Sequence, residues 1–217
     1  MCKPFIYNHQ YNAIKREANT LQNALRTVAD KKVLESVRLG AQANIVQMFP
    51  DISDEYKQML GKIAALETTE EIQQYMKELA AYRLEFPKIT EKQIQKLFPK
   101  NKKLKVPDLT QIDFRQISYL SWIDVATGKL FIVYPRNDQF VGVEGKFSSV
   151  TKKGHCFVCN RFEELVMFTA ISKKKPANSS PDYYKAVGNY LCMDGLECNK
   201  KITDTAPLES FIASVIE

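Results

Sequence analysis

The chain has two histidines and one tryptophan in 217 residues, and no long apolar run. So little histidine leaves little room for imidazole-based catalysis. The longest nearly apolar stretch, residues 165–171, falls far short of the ~18 residues a membrane helix needs. The N-terminal segment turns polar too soon for the apolar core of a signal peptide. Cys2 stands where N-myristoylation needs glycine, and the final Val215-Ile216-Glu217 carries no prenylation signature. The expectation is a soluble cytosolic protein with no membrane partner. The motifs G-x-x-x-x-G-K-[ST], G-x-G-x-x-G and G-x-S-x-G are all missing. His9 has no cysteine or serine partner in view, and the carboxylates are scattered without a convincing acid–base pair. An enzyme is not expected.

Present instead is an ordinary globular composition, 45% apolar and 26% charged, which argues against global disorder. The length is about one and a half times the ~150 residues of a typical domain, enough for one large or two smaller units. The net charge of +6, from 31 basic and 25 acidic residues, permits an acidic or ribonucleoprotein partner without requiring one. Cysteine is the informative residue. Five is odd, and a cytosolic chain rarely keeps structural disulfides, so the sulfurs read as free thiols or metal ligands.

The first hundred residues read as helices. Tyr7, Tyr11, Ile14, Ala18, Leu21, Leu25 and Val28 recur at 3–4 spacing, a single stripe down one long helix. Asp30 breaks or caps, and Val33, Leu34, Val37, Ala41, Ile45 and Met48 stripe a second helix that stops before Phe49-Pro50. Such stripes pack antiparallel helices together; a coiled-coil dimer through the first is the alternative. Thr68 with Glu71 and Thr90 with Gln93 have capping-box spacing. Phe49-Pro50-Asp51-Ile52-Ser53 and Phe86-Pro87-Lys88-Ile89-Thr90 form a weak repeat, read as helix-start chemistry used twice within one bundle.

Residues 98–107 hold four lysines and no acid between two prolines, which reads as a solvated linker or a basic arm on phosphate. Beyond Pro107 the pattern shifts to strands. Ile117, Tyr119, Ile123 and Val125 alternate with other residues, a turn at 126–129 follows, then the apolar run 130–134. Segments 140–143 and 147–150 read as further short strands punctuated by Gly142 and Gly145, with Trp122 a packing residue on the sheet. The expected organisation is α+β: a helical bundle over 1–99, a basic linker over 100–107, and an antiparallel sheet with a zinc finger over 108–217. A monomer is expected.

The remaining cysteines form a pattern. Cys156-Phe157-Val158-Cys159 is a C-x2-C pair that aims two thiolates at one point, as in a zinc knuckle. Cys192 and Cys198 are too far apart for one face of one helix. Cys192 should therefore end a strand, and Cys198 should lie in the first turns of a helix after Gly195. Residues 165–171 and 183–190 supply two strands joined by a polar loop containing Lys173, Lys174 and Lys175. Knuckle, hairpin and helix start follow the order of a treble-clef finger, with one Zn²⁺ held by Cys156, Cys159, Cys192 and Cys198. The residue-level alternatives are four unrelated thiols, an iron–sulfur cluster, or a site in which His155 replaces a cysteine. Four thiolates fill the coordination shell, so the metal is structural. Cys2 is left over as a terminal thiol.

These residues resemble a family. The segments 107–113, 117–122 and 131–134, together with Gly154-His155-Cys156-Phe157-Val158-Cys159-Asn160, Gly188-Asn189-Tyr190-Leu191-Cys192-Met193-Asp194 and Glu197-Cys198-Asn199, look like the core of the FusB-type elongation-factor-G-binding proteins. The likeness is close over 105–217 and looser over the helical half. It implies a four-helix N-terminal bundle, the same four zinc ligands, and binding of elongation factor G by the finger domain. It also implies release of the factor from ribosomes stalled by fusidic acid, without modification of the drug. Aromatic and basic residues around the finger would meet the factor: Tyr190 and Phe211 match such positions, and Lys185 lies in the same segment. Phe157 sits within the knuckle, and His155 stands where the family can carry an aromatic residue. The other function considered is a zinc-finger RNA- or ribosome-binding protein using the basic linker and the 173–175 loop, with a zinc enzyme third. A weak contact with ribosomal RNA is compatible with either binding role.

Overall fold

The computed structural model describes residues 3–173, 180 and 182–216. Cys2, Lys174 and Lys175 lie outside them. The chain divides into two compact units, Met1–Leu84 and Glu85–Glu217.

The first unit holds α1 (Asn8–Thr27), α2 (Lys31–Gln47), α3 (Asp54–Gly61) with a 3₁₀ turn (Lys62–Ala65), and α4 (Thr69–Ala80). Its core gathers Ile14, Ala18 and Leu21 of α1, Ala41 and Ile45 of α2, Leu60, Ile63, and Ile72, Tyr75 and Leu79 of α4. The expected stripes thus turn inward at their centres, while their ends, Tyr7 and Val33, are exposed. Local chemistry sets the helix starts. Asp30 accepts from the Lys32 amide at 2.8 Å, and Thr68 and Glu71 form a reciprocal capping box. Tyr75 satisfies its buried hydroxyl on the Leu60 carbonyl at 2.8 Å. Ile6 and Arg83 close the unit through a parallel bridge.

The second unit opens with α5 (Glu91–Leu97), capped by Thr90 with Gln93. A five-stranded antiparallel meander follows: β1 (Leu120–Asp124), β2 (Lys129–Arg136), β3 (Gln139–His155), β4 (Phe162–Ile171) and β5 (Ala186–Cys192). Two short helices finish it, α6 (Gly195–Asn199) and α7 (Ala206–Ile216). The run 130–134 is apolar throughout because β2 is covered on both faces. Leu130 and Ile132 face the core shared with the cysteines and α7, whereas Phe131 and Val133 face Ile89, Ile94 and Phe98. Trp122 stacks on Phe131 with ring centroids 5.1 Å apart.

Two expectations meet a different arrangement. Phe98, just before the expected linker, is buried, and Leu104 and Val106 within it pack on the same apolar cluster while Lys100, Lys102, Lys103 and Lys105 point outward. The second copy of the Phe-Pro repeat and its helix α5 therefore belong to the sheet unit, and the units meet at Leu84/Glu85 instead of near residue 100. The two short strands expected at 140–143 and 147–150 are one long β3. Gly142 and Gly145 do not interrupt it; they admit close neighbours. A Cβ on Gly145 would lie 2.3 Å from the Thr169 carbonyl oxygen, and one on Gly142 would lie 2.8 Å from the Phe98 ring.

Candidate metal centre

Three pieces of backbone carry the four cysteines. Near its end β3 slips register against β4: Ser149 pairs with Val166 but Lys153 pairs with Glu164. This bulge redirects the strand and delivers the chain into the knuckle. There the Cys156 amide donates to the Arg161 carbonyl at 3.0 Å, the Asn160 amide returns to the Cys156 carbonyl at 2.9 Å, and Asn160 takes a left-handed φ of 52°. The Phe157 amide donates to the Tyr190 carbonyl at 2.9 Å and so ties the knuckle to β5, whose last residue is Cys192. Asp194 then caps α6 by accepting from the amides of Leu196 (2.8 Å) and Glu197 (3.2 Å), which places Cys198 one turn in.

The sulfurs converge as the spacing predicts. All four cysteines are buried, and their Sγ atoms lie within 4.8 Å of one another. Cys156 and Cys198 approach to 3.8 Å, and Cys159 and Cys192 to 3.6 Å. These separations are far too long for a disulfide, and all four are free thiols. They fit the edge of a tetrahedron whose centre is ~2.3 Å from each sulfur, about 3.8 Å, which is the Zn–thiolate geometry. The Val158 amide points at Cys156 Sγ from 3.4 Å and is placed to offset thiolate charge. Interaction with Cys159, then with Cys192 and Cys198, holds the Cys156 thiol well below its usual range, and contact with Cys156 pushes Cys192 and Cys198 up. Sulfurs this close cannot all ionise unaided, and a divalent cation removes that conflict. The donor set and its shape therefore fit zinc. Four sulfur donors are the number a tetrahedral zinc takes. His155 is exposed at the end of β3 with its ring against Phe162, and it lies outside the sulfur cluster.

Two residues beside the sulfurs escaped the sequence reading. Asn199 is buried. Its Oδ1 accepts from the amides of Ser118 (2.6 Å) and Tyr119 (3.3 Å), and its Nδ2 donates to the carbonyls of Tyr119 and Gly195, both at 2.8 Å. Tyr119 is fully buried in the core that contains the four cysteines. Burial is the largest influence on its hydroxyl, followed by the neighbouring Cys198 sulfur, and both keep the proton on oxygen. Both fall in segments that resemble the family, and Asn199 directly follows a candidate ligand, but nothing local in the sequence pairs the two.

The expected contact residues separate by exposure. Tyr190 is 46% exposed, and His155 and Lys185 are exposed. Phe157 is half-buried against Phe211 at 5.3 Å. Phe211 is itself buried between Phe157 and Phe168, so it takes the packing role that its helical stripe allowed. Three exposed apolar side chains near the cysteines were not anticipated: Phe162, Met193 and Leu196. Each lies within three residues of a ligand candidate: Phe162 at the start of β4, Met193 after β5 and Leu196 in α6.

A helical unit followed by a sheet that ends in a knuckle, a strand end and a helix start, with four converging cysteines, defines a two-unit treble-clef-finger protein. Residues 5–87 match the family model of the N-terminal region of elongation factor G-binding proteins, and residues 94–213 match that of the FBP C-terminal treble-clef zinc finger. The chain belongs to this zinc-finger family. No curated protein gave a match. Among solved structures, that of the fusidic acid resistance protein FusC resembles the chain with a TM-score of 0.79 and 28% identity, covering 97% of each chain. No helix among the described residues is long and apolar enough to cross a membrane.

Proposed function

We propose that this protein binds elongation factor G through its zinc-finger unit, promotes release of the factor from the ribosome, and so protects translation from fusidic acid. The observation that carries this reading is the likeness to FusC over nearly the full length of both chains, joined to the match of residues 5–87 to an elongation factor G-binding family. One zinc ion per chain, held by Cys156, Cys159, Cys192 and Cys198, is structural: it orders the backbone that displays the contact residues. No catalysis is required. A protein that binds the released factor more tightly than the ribosome-bound one shifts the equilibrium by that difference in affinity. Tyr190, His155 and Lys185 are the exposed side chains through which the finger meets the factor, and Phe157 and Phe211 support them from beneath. The protein acts as a cytoplasmic monomer on and off the ribosome.

The outward lysines of 100–105 favour a second reading, in which the chain binds ribosomal RNA directly. A pull-down of purified elongation factor G, with and without RNase, separates the two. A complex that survives RNase is expected, with mild salt dependence. Capture only in the absence of RNase, weakening steeply with salt, would replace the first reading by the second. No complex under either condition would overturn the first.

A further inference from the structure

We infer that the Tyr119 hydroxyl is a hydrogen-bond donor to the Cys198 thiolate of the metal site, and that Asn199 positions it. This rests on zinc occupying the four-cysteine cluster. The Tyr119 hydroxyl oxygen is buried and has no hydrogen-bond partner among the described residues. A buried hydroxyl is almost always paired, so an orphan needs an acceptor. Tyr119 lies in the same buried cluster as Cys156, Cys159, Cys192 and Cys198, and the Asn199 side chain ties its backbone to the residue that follows Cys198. A neutral thiol is a weak acceptor, but a metal-bound thiolate carries charge and accepts well.

The placement is built in. Asn199 adjoins Cys198 on α6, and its side-chain amide clasps both the N–H and the carbonyl of Tyr119. The ring's backbone and the ligand's backbone are thereby fixed to each other across a separation of 80 residues. Ser118 joins the same clasp through its amide at 2.6 Å. Tyr119 is thus a positioning residue for the metal site, of the kind that orients ligands and tunes their charge.

Tyr119→Phe removes one oxygen and keeps the ring. The zinc-loaded variant should release metal to a chelator about tenfold faster than wild type. In the cobalt-loaded variant the sulfur-to-metal charge-transfer band should move to lower energy, because the sulfur loses a donor that stabilised its lone pair. Tyr134→Phe, which removes a hydroxyl elsewhere in the same unit, should leave the band in place. In wild-type protein loaded with cadmium-113, a slowly exchanging hydroxyl proton should correlate with the metal nucleus. That measurement needs no variant. Unchanged release and an unchanged band in Tyr119→Phe, or no such proton in the cadmium protein, would overturn the inference while leaving the zinc site standing. Wild-type protein that holds no zinc would overturn both.

Discussion

Phe157 donates its backbone N–H to the carbonyl of Tyr190 at 2.9 Å, and this bond joins the knuckle to β5 two residues before Cys192. The loop that carries Cys156 and Cys159 and the strand that carries Tyr190 are therefore one rigid piece once the four sulfurs share a metal. The chemistry of the site and the display of a candidate contact residue are consequences of the same backbone.

Removing a ligand should accordingly undo the finger. Cys159→Ala leaves three thiols within 4.8 Å of one another and no closed tetrahedron. Structural zinc contributes about 10–16 kcal/mol of binding free energy to folding in small finger domains, so its loss exceeds typical domain stability. Elemental analysis should fall from about one zinc per chain to near none. The fluorescence of Trp122, the only tryptophan and a residue of the sheet unit, should report loss of native packing. The helical circular dichroism of α1–α4 should persist.

Asn199→Ala should destabilise the sheet unit by about 2–4 kcal/mol, because it removes the side-chain hydrogen bonds to the amides of Ser118 and Tyr119 and to the Tyr119 carbonyl. Urea unfolding of the zinc-loaded protein followed by Trp122 fluorescence measures it. A loss below about 0.5 kcal/mol, the usual scatter for surface changes, would show that water or a shifted backbone replaces the clasp.

The contrast between such long-range ties and local ones explains what the sequence revealed. The caps at Asp30, Thr68 and Thr90 were legible because donor and acceptor lie within three residues of each other. The positions of Cys192 at a strand end and Cys198 at a helix start were legible because their spacing excluded a shared helical face. The roles of Gly142 and Gly145 were not, since what constrains them is the Phe98 ring and the Thr169 carbonyl, brought near only by the fold. For the same reason α5 read as part of the helical bundle. Its pattern announces a helix, but only the apolar faces of Phe131 and Val133 decide which unit it joins. Asn199 looked like any polar residue after a cysteine until its partners 80 and 81 positions away were in place.

Two glycine replacements should move stability in opposite directions. Gly145→Ala drives a methyl into the Thr169 carbonyl, only 2.3 Å from the new Cβ, and backbone on a paired strand cannot step aside cheaply. A loss of at least about 1–3 kcal/mol in the sheet unit is expected, as for other overpacked sites. Gly40 lies within α2 with nothing within 4 Å of its added Cβ. Gly40→Ala should stabilise the helical unit by about 0.5–1 kcal/mol. Thermal melts followed separately by Trp122 fluorescence and by helical circular dichroism read the two effects.

The capping box at the start of α4 should give the helical unit a pH dependence. Hydrogen bonds from the Glu67 and Thr68 amides, at 2.7 and 3.1 Å, hold the Glu71 carboxyl below its usual value. A carboxyl depressed in the folded state stabilises the fold above its unfolded pKa, and that stabilisation is lost as pH falls through the folded value. Glu71→Gln keeps an acceptor but removes the charge. Its melting temperature should lie below wild type at neutral pH and converge with it in acid, below the carboxylate range. A difference that persists unchanged in acid would assign the effect to packing instead of charge.

Tyr190→Ala should separate partner binding from folding. The side chain is 46% exposed on β5, while its backbone carbonyl, untouched by the substitution, still holds the Phe157 amide. Zinc content and the Trp122 unfolding transition should therefore stay near wild type. An aromatic side chain on a rigid, metal-held strand loses little conformational freedom on binding, which is the property of interface hot spots; removing one costs 2 kcal/mol or more, about thirtyfold in affinity. Titration of purified elongation factor G against the two proteins measures the loss. Phe211→Leu provides the complementary case, because Phe211 is buried between Phe157 and Phe168. It should lower the melting temperature of the sheet unit while leaving the affinity of the folded protein near wild type. Equal affinities for Tyr190→Ala and wild type would move the contact surface away from β5, toward the exposed Phe162, Met193 and Leu196 on the other segments that flank the cysteines.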